Sequence, residues 1–573
     1  MPDDGQSLRA EIAVEGSPLA PEVEPLVEQV IVDNDVQFPD AFLIVFNDRE
    51  HDVLDQTGIE IGTKIEIKGT SLRSQQSELL ISGEVTSLGA EYYSGGSRIL
   101  VRGYDRSHRL QRGTRTQTYL SVKDSDIAQT VAGQAGIDVG TIDDSGEVHP
   151  WVAQLNQSDW EFLAGRARNI GFELTVIDGK LNFRKPTAAS SAPSSGEYGS
   201  TDPFQLVYGE DLLQFRPRVT ASEQVGSVKV YGWDRSAKTE LTGSAEAATT
   251  SAAVPLTPAS LAADFDTAVY YGTGESYDTQ PGVDTRAAAI ADRIASAAAE
   301  ADGVARGEPM LRAGAAVNVA AVSSQFAGQY TLSRTRHVFD DDGYGTEFHV
   351  SGRSDRSLLG LARGASAGTE TDHGPRIPGL VPAIVTDTKD PDQLGRVTVR
   401  FPWLGPKDDT PATSYWAPVV QFGAGNARGA MFLPEVGDEV LVGFDHGNVD
   451  HPYVLGGLYN GVDLPPLQDD LIDGSDGKVN QRGFVSRLNH QLVFLDSDSK
   501  SGITLSTDQG KVTIELDHAN GKLHLSCQGD VVVESTGDLK LTAQGSLELS
   551  GQGGVKIESS AVVEVSGQMI KLN

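Results

Sequence analysis

The chain is predicted to be mainly β, with a C-terminal strand array that closes only between copies. Two observations carry this. Alternating apolar residues recur from end to end, and the last fifty or so residues repeat with a period of eight. Glycines stand at Gly521, Gly529, Gly537, Gly545 and Gly553, with Ala561 in the next slot. Two and four residues after each comes an apolar pair. The pairs are Leu523 with Leu525, Val531 with Val533, Leu539 with Leu541, Leu547 with Leu549, Val555 with Ile557, and Val563 with Val565. Spacing of two puts both members on one side of a strand. The small residue sits where the chain turns, because glycine accepts bend geometries that a Cβ forbids.

Strands this short bury little alone, so the apolar side must stack on something. The chain could coil as a solenoid, or three copies could wind into a triangular prism. A solenoid normally carries a polar cap. Here Met569, Ile570, Lys571, Leu572 and Asn573 form an uncapped last strand. That favours an intertwined homotrimer whose blunt end offers Ile570, Leu572 and unpaired backbone groups to a covering protein. The six pairs are then expected to be its core. Cys527, the single cysteine, excludes an intrachain disulfide and falls on the inward side as a small buried residue. His524 points outward.

Composition narrows the partners. Acidic residues outnumber basic ones 80 to 46, for a net charge of −34. Such a surface repels nucleic-acid phosphates and anionic headgroups. The first residues lack a secretory signal, and no apolar run reaches the roughly 18 residues of a membrane helix. Cytoplasmic synthesis is expected.

Along the first 350 residues, strand patterns alternate with a few helices. Asp124 or Ser125 opens one helix, through about 135. Ser158 caps a second, over 160–169. Residues 240–262, rich in Ala, Thr and Ser, read as a loose excursion, and 285–301 as an alanine-rich helix. Residues 363–376 read as a linker. About eighty residues of short strands then fit a small barrel of the OB type, and a second linker precedes the terminal strands.

Catalytic readings are weak. Carboxylates are so frequent that pairs occur by chance. His446 and His451 beside Asp445 and Asp450 suggest a metal, but they sit at a strand end and a turn. Asp105, Ser107 and His108 are sequence neighbours, which do not supply triad geometry. Gly423-Ala424-Gly425 lacks the following Lys of a phosphate loop. Arg334, Arg336 and His337 read as a solvated strand face. No catalytic residue, metal or cofactor is expected.

The run Asp390, Pro391, Asp392, Gln393, Leu394, Gly395, Arg396, Val397, Thr398, Val399, Arg400, Phe401, Pro402, Trp403 resembles the OB-domain signature of VgrG-like spikes of contractile injection systems. Within it Asp390, Pro391, Gly395, Arg396, Phe401 and Trp403 carry the match. The segments 436–442 and 450–460 are similar to further motifs of that family. So are Ser158-Asp159-Trp160-Glu161-Phe162-Leu163 and Gly103-Tyr104-Asp105 with His108. Phe38-Pro39-Asp40 resembles the phage-tail-like, extracellular branch.

The resemblance implies tail-hub ring domains over 1–370, built as two β-barrel subdomains with helical insertions. It implies an OB-fold collar over 371–462, a linker over 463–482, and a trimeric β-helix needle over 483–573. The implied protein is a non-catalytic spike that adapts a hexameric inner tube to a threefold needle. Its partners would be two further copies of itself, the inner-tube protein, baseplate proteins and a PAAR-type tip protein, with transient contact to a target membrane. It would be assembled into the particle at the baseplate centre and leave the cell on firing. A peptidoglycan-degrading hub and a receptor-binding fibre are the rival readings; no enzymatic domain is expected between barrel and needle or after the needle.

Overall fold

In the computed structural model, residues 9–71, 73–194, 198–265, 268–272, 276–353, 376–404 and 413–571 are described. The expected linker over 363–376 lies, up to residue 375, outside them. The chain divides into two compact units, Met1–Asn460 and Gly461–Asn573.

The first unit is organised on one eleven-stranded sheet. Its order runs Leu212–Val219, Ala299–Arg306, Gly343–Val350, Arg334–Asp340, Val27–Asp35, Ala41–Asn47, Gly96–Asp105, Ser77–Tyr93, Lys64–Thr70, Glu11–Val14 and Ser17–Pro18. Early and late strands join where Val27–Asp35 lies antiparallel to Arg334–Asp340. The alternation that predicts strands also chooses their buried faces. Val30, Val32, Phe42, Ile44, Phe46, Ile65 and Ile67 are buried in one core, and Leu212, Val317, Tyr330 and Phe348 in another.

Parity also separates three residues that sequence proximity groups. Arg334 and Arg336 both reach Asp33, at 2.9 and 2.8 Å, on the half-exposed face. His337, one step out of phase, is buried and bonded to the Tyr344 hydroxyl at 2.8 Å. Burial drops its pKa to about 3, so it stays neutral.

Two helices pack in a separate core with strands of smaller sheets. Asp124–Ala135 ends at Gly136 in the left-handed conformation. Asp159–Asn169 begins with a capping box: Ser158 Oγ accepts from Glu161 N at 3.2 Å, and Glu161 Oε2 accepts from Ser158 N at 3.2 Å. Trp160, Phe162 and Leu163 enter the core between these helices and the strands Glu173–Ile177 and Lys180–Arg184.

Two local expectations are corrected. The excursion at 240–262 contains the strand Thr239–Glu246 and the helix Pro258–Ala263. The strand pairs along its length with Ser227–Asp234 and buries Leu241, while Thr257 Oγ1 caps the helix by accepting from Ser260 N. The alanine-rich helix is Gln280–Ser296, started by the Thr279 cap and Pro281. Its expected end is instead the strand Ala299–Arg306, whose Ala299, Ala301 and Ala305 alternate inward. Alanine's helix preference is weak enough for that packing to override.

The barrel follows. Its sheet runs Ala417–Pro418, Arg396–Arg400, Leu380–Asp387, Glu439–Asp445, Asn448–Gly457. A parallel bridge from Val419 to Val454 joins the first strand to the last and closes it. Ala383, Val385, Val397, Val399, Phe401, Val440, Val442 and Val454 fill the interior.

Two buried acids make the first unit pH-sensitive. Burial raises Asp105 to about 6, against hydrogen bonds from Ser107, and burial plus the Asp105 charge pushes Asp40 well up. The folded state therefore holds these protons more tightly than the unfolded one. Stability falls as pH rises from the ordinary carboxylate range through about 6. We expect thermal midpoints to rise when pH drops from 7 to 5, and Asp105→Asn to flatten that slope. An unchanged slope in the variant would reject the assignment.

The second unit starts with a five-stranded antiparallel meander: Gln481–Val485, Gln491–Asp496, Ser501–Ser506, Val512–Asp517 and Lys522–Cys527. Beyond Cys527, residues 528–571 form no strand pair among the described residues.

Within one chain the octad pairs, expected as the core of a trimer, stand uncovered. Leu523, Leu525, Val531, Val533, Leu539, Leu541, Leu547, Leu549, Val555, Ile557, Val563 and Val565 are all exposed, from 52% at Val563 to 68% at Val531. Of these, only Leu523 and Leu525 lie in a strand paired within the chain. The cause is geometric. From Val531 and Val533 through Leu549, Ile557 and Val565, each pair lies on a segment too short to fold back and cover it.

Candidate functional site

The meander carries the most unusual surface. Cross-strand register aligns Phe484, Leu492, Leu505, Ile514 and Leu525 in one row, and Phe494, Ile503, Leu516 and Leu523 in the next. Both rows lie on one face. That face is bare in the single chain, with Leu505 half-exposed and Leu523 and Leu525 more so. The octad pairs continue the exposure: Val531 and Val533, Leu539 and Leu541, Leu547 and Leu549, Val555 and Ile557, Val563 and Val565. Scattered apolar side chains on a surface are ordinary, but a contiguous run of this length marks an interface.

The period of eight identifies Leu523 and Leu525 but passes over their partners. The same spacing of two occurs before them, in Ile503 with Leu505 and Ile514 with Leu516, outside that period. Cys527, expected to be buried, is half-exposed in the single chain, where the last strand of the meander has no neighbour on its far side among the described residues. Its Sγ accepts from Gly529 N at 3.3 Å. His524 reaches Glu515 at 3.5 Å. At the end of the chain Met569, Ile570 and Lys571 are exposed, whereas Leu572 and Asn573 lie outside the described residues.

The barrel signature is a turn locked by one carboxylate. Asp390 and Pro391 occupy the positions that a tight turn prefers. Asp390 Oδ2 accepts from Leu394 N at 2.8 Å, Arg396 N at 3.2 Å and Arg396 Nε at 3.0 Å; Oδ1 accepts from Arg396 Nη2 at 2.5 Å. The Arg396 hydrogen bonds hold this carboxyl well below the usual range. Gly395 has φ +72°, the left-handed region, so a side chain there strains the turn. Arg396 then starts the strand that sends Val397, Val399 and Phe401 inward, and Phe401 packs on Phe444 and Trp403 at 5.7 and 6.0 Å. Trp403 remains half-exposed. Replacing Asp390 by Asn is expected to cost about 2 kcal/mol through its charge-assisted bonds. Chemical denaturation checks this, and a midpoint equal to wild type would contradict it.

A second charged cluster joins the barrel to the helices. Arg166 Nε donates to Asp124 Oδ1 at 2.6 Å, and Arg166 Nη2 contacts His149 Nε2 at 2.9 Å. Trp151, Ala153 and Leu155 pack there against Val449 of the barrel. Burial raises the Asp450 carboxyl to about 6, partly offset by Arg166. Nearby, Arg235 lies over the Tyr453 ring at 4.8 Å and reaches Asp445 at 3.4 Å. His446 and His451 flank this seam without a ligand cluster: no group of three His, Cys, Asp or Glu side chains among the described residues is placed to hold an ion.

The other candidates serve local structure. Asp105 Oδ1 accepts from Ser107 N at 2.9 Å, while His108 turns to Glu84 at 3.1 Å. Ala424–Gly425 pairs with Arg428–Gly429 as a hairpin.

Comparison with known proteins agrees with this architecture. Residues 4–341 match the model of the Alg8 N-terminal domain, and residues 381–459 that of the type VI secretion system/phage-baseplate injector OB domain. The type VI secretion system spike protein VgrG5 of Pseudomonas aeruginosa is 42% identical over 100 residues, 16% of this chain and 12% of that protein. VgrG2a of the same organism is 32% identical over 127 residues, 22% of this chain and 15% of that one. The matched stretches thus span less than a sixth of these relatives. A chain of the lidded Francisella PdpA–VgrG complex superposes with a TM-score of 0.52 at 8% identity, over 91% of this chain and 81% of that one, a likeness of fold. Through the match over 4–341 the chain belongs to the Alg8 N-terminal domain family, and over 381–459 it carries an injector OB domain, within a chain that resembles VgrG-like spike proteins.

Proposed function

We propose that three copies wind their C-terminal units about a common axis to form a non-catalytic, membrane-piercing needle. The bare apolar face of the meander, continued by the octad pairs, carries this reading. Each side chain closed into a dry axis contributes roughly 1.5–3 kcal/mol before entropy costs. Covered in this way, the pairs from Leu523 and Leu525 to Val563 and Val565 together make a stiff rod.

The first unit adapts a hexameric inner-tube protein to the threefold needle, among baseplate proteins. Met569 to Asn573 present the tip to a PAAR-type cap, and sheath contraction drives the needle through a target envelope. The chain is made in the cytoplasm and assembled at the baseplate centre. Static light scattering on the purified full chain tests the oligomer, with a mass three times 60.8 kDa expected. A peptidoglycan turbidity assay on the same sample is expected to show no clearing. A monomeric mass, or clearing above a heat-killed control, would overturn the respective part.

A further inference from the structure

The seam between the hub strands and the barrel contains a pocket of about 190 Å³ in the first unit. Its walls include Tyr231, Trp233, Tyr277, Asp278, Asp445 and His451. Strand parity explains the aromatic wall. In Ser227–Asp234, Val228 and Val230 turn inward against the helix Gln280–Ser296. Tyr231 and Trp233 therefore emerge on the opposite face, 45% and 46% exposed. Tyr231 is braced by stacking on Tyr271, at 6.3 Å between ring centres. Trp233 N donates to Tyr277 O at 2.8 Å, which joins two walls.

The same wall already holds one guanidinium by a ring and a carboxylate, since Arg235 lies over Tyr453 and pairs with Asp445. Asp278 is exposed at the rim, and its charge acts on His451 in the same pocket. Ser276 Oγ also lines the space and is buried without a partner among the described residues. Aromatic faces with a nearby carboxylate favour cations.

We propose that this pocket binds one organic cation, a guanidinium or ammonium group, with Tyr231 and Trp233 supplying ring faces and Asp278 the counter-charge. A basic side chain of a partner protein and a free polyamine share this chemistry, and the chain's charge of −34 favours either.

Isothermal titration of the full chain with arginine amide, lysine amide, spermidine and the uncharged isostere citrulline amide tests it. Saturable binding of the cations and none of citrulline amide is expected. Asp278→Asn and Trp233→Leu are each expected to weaken binding about tenfold, whereas Tyr92→Ser, on a distant hairpin, leaves it unchanged. Tighter binding of arginine or lysine amide assigns a protein side chain, and tighter binding of spermidine a free polyamine. No cation binding, equal binding of citrulline amide, or full affinity in both pocket variants would overturn the proposal.

Discussion

Leu541→Asp is expected to convert the full chain from trimer to monomer while leaving its first unit folded. Leu541 is 65% exposed in the single chain, so the substitution removes little from the isolated protomer. In the proposed needle it would bring three carboxylates to one level of a dry axis. An unpaired buried charge costs several kcal/mol even after relaxation, and three copies multiply that cost. The lost leucines add roughly 2–3 kcal/mol each. Lys540→Ser, one step out of phase, is expected to keep the trimer, because its side chain belongs to the outer face. Light scattering on both variants decides the matter, and a Leu541→Asp trimer of wild-type stability would contradict the assigned face.

Arg166→Leu is expected to destabilise the first unit by about 3–5 kcal/mol, because it leaves a buried carboxylate without its partner. Asp124 has a side-chain exposure of 1% against Arg166. Burial opposes its charge, but the guanidinium and His149 outweigh that and hold its carboxyl below the ordinary value. In the wild type this contribution is present above the unfolded carboxylate pKa and lost as pH falls through the depressed folded value. In the variant only His149 still opposes the burial penalty, so the Asp124 pKa rises and its ionisation stabilises the fold less. The gap in thermal midpoint between wild type and variant is therefore expected to be widest near pH 7 and to narrow toward pH 4. A constant gap across that range would argue against the ion pair as its cause.

Much of this was legible in the residues because the signals were local. Ser158 followed by Glu161 marked a helix start. Asp390, Pro391 and Gly395 marked a turn whose geometry only a few residue types accept. The octads announced an apolar face by their period, but a period does not say which chain covers that face. Val533, Leu549, Ile557 and Val565 accordingly stand exposed in one copy.

The misreadings arose where packing overrode local preference. Ala299, Ala301 and Ala305 favour a helix in isolation but alternate into a core beside Phe348. Thr239–Glu246 looks like low-complexity loop until Leu241 meets Val228 and Val230. His337 neighbours Arg334 and Arg336 in sequence, although strand parity sends it to the other face. The seam between helices and barrel was not legible, since Asp124, His149, Arg166 and Asp450 are distant in sequence and meet only through the fold. The apolar face of the meander was partly legible. Ile503 with Leu505, and Ile514 with Leu516, have the right spacing within each strand but fall outside the regular period.

The central claim is that the octads acquire order only between copies. Amide hydrogen exchange on the full chain across residues 529–571, read at concentrations above and below trimer dissociation, tests it most directly. Strong protection in the trimer and near-random-coil exchange in the dissociated chain is the predicted result. Equal protection in a demonstrably monomeric chain, or an unprotected octad stretch within an intact trimer, would contradict it.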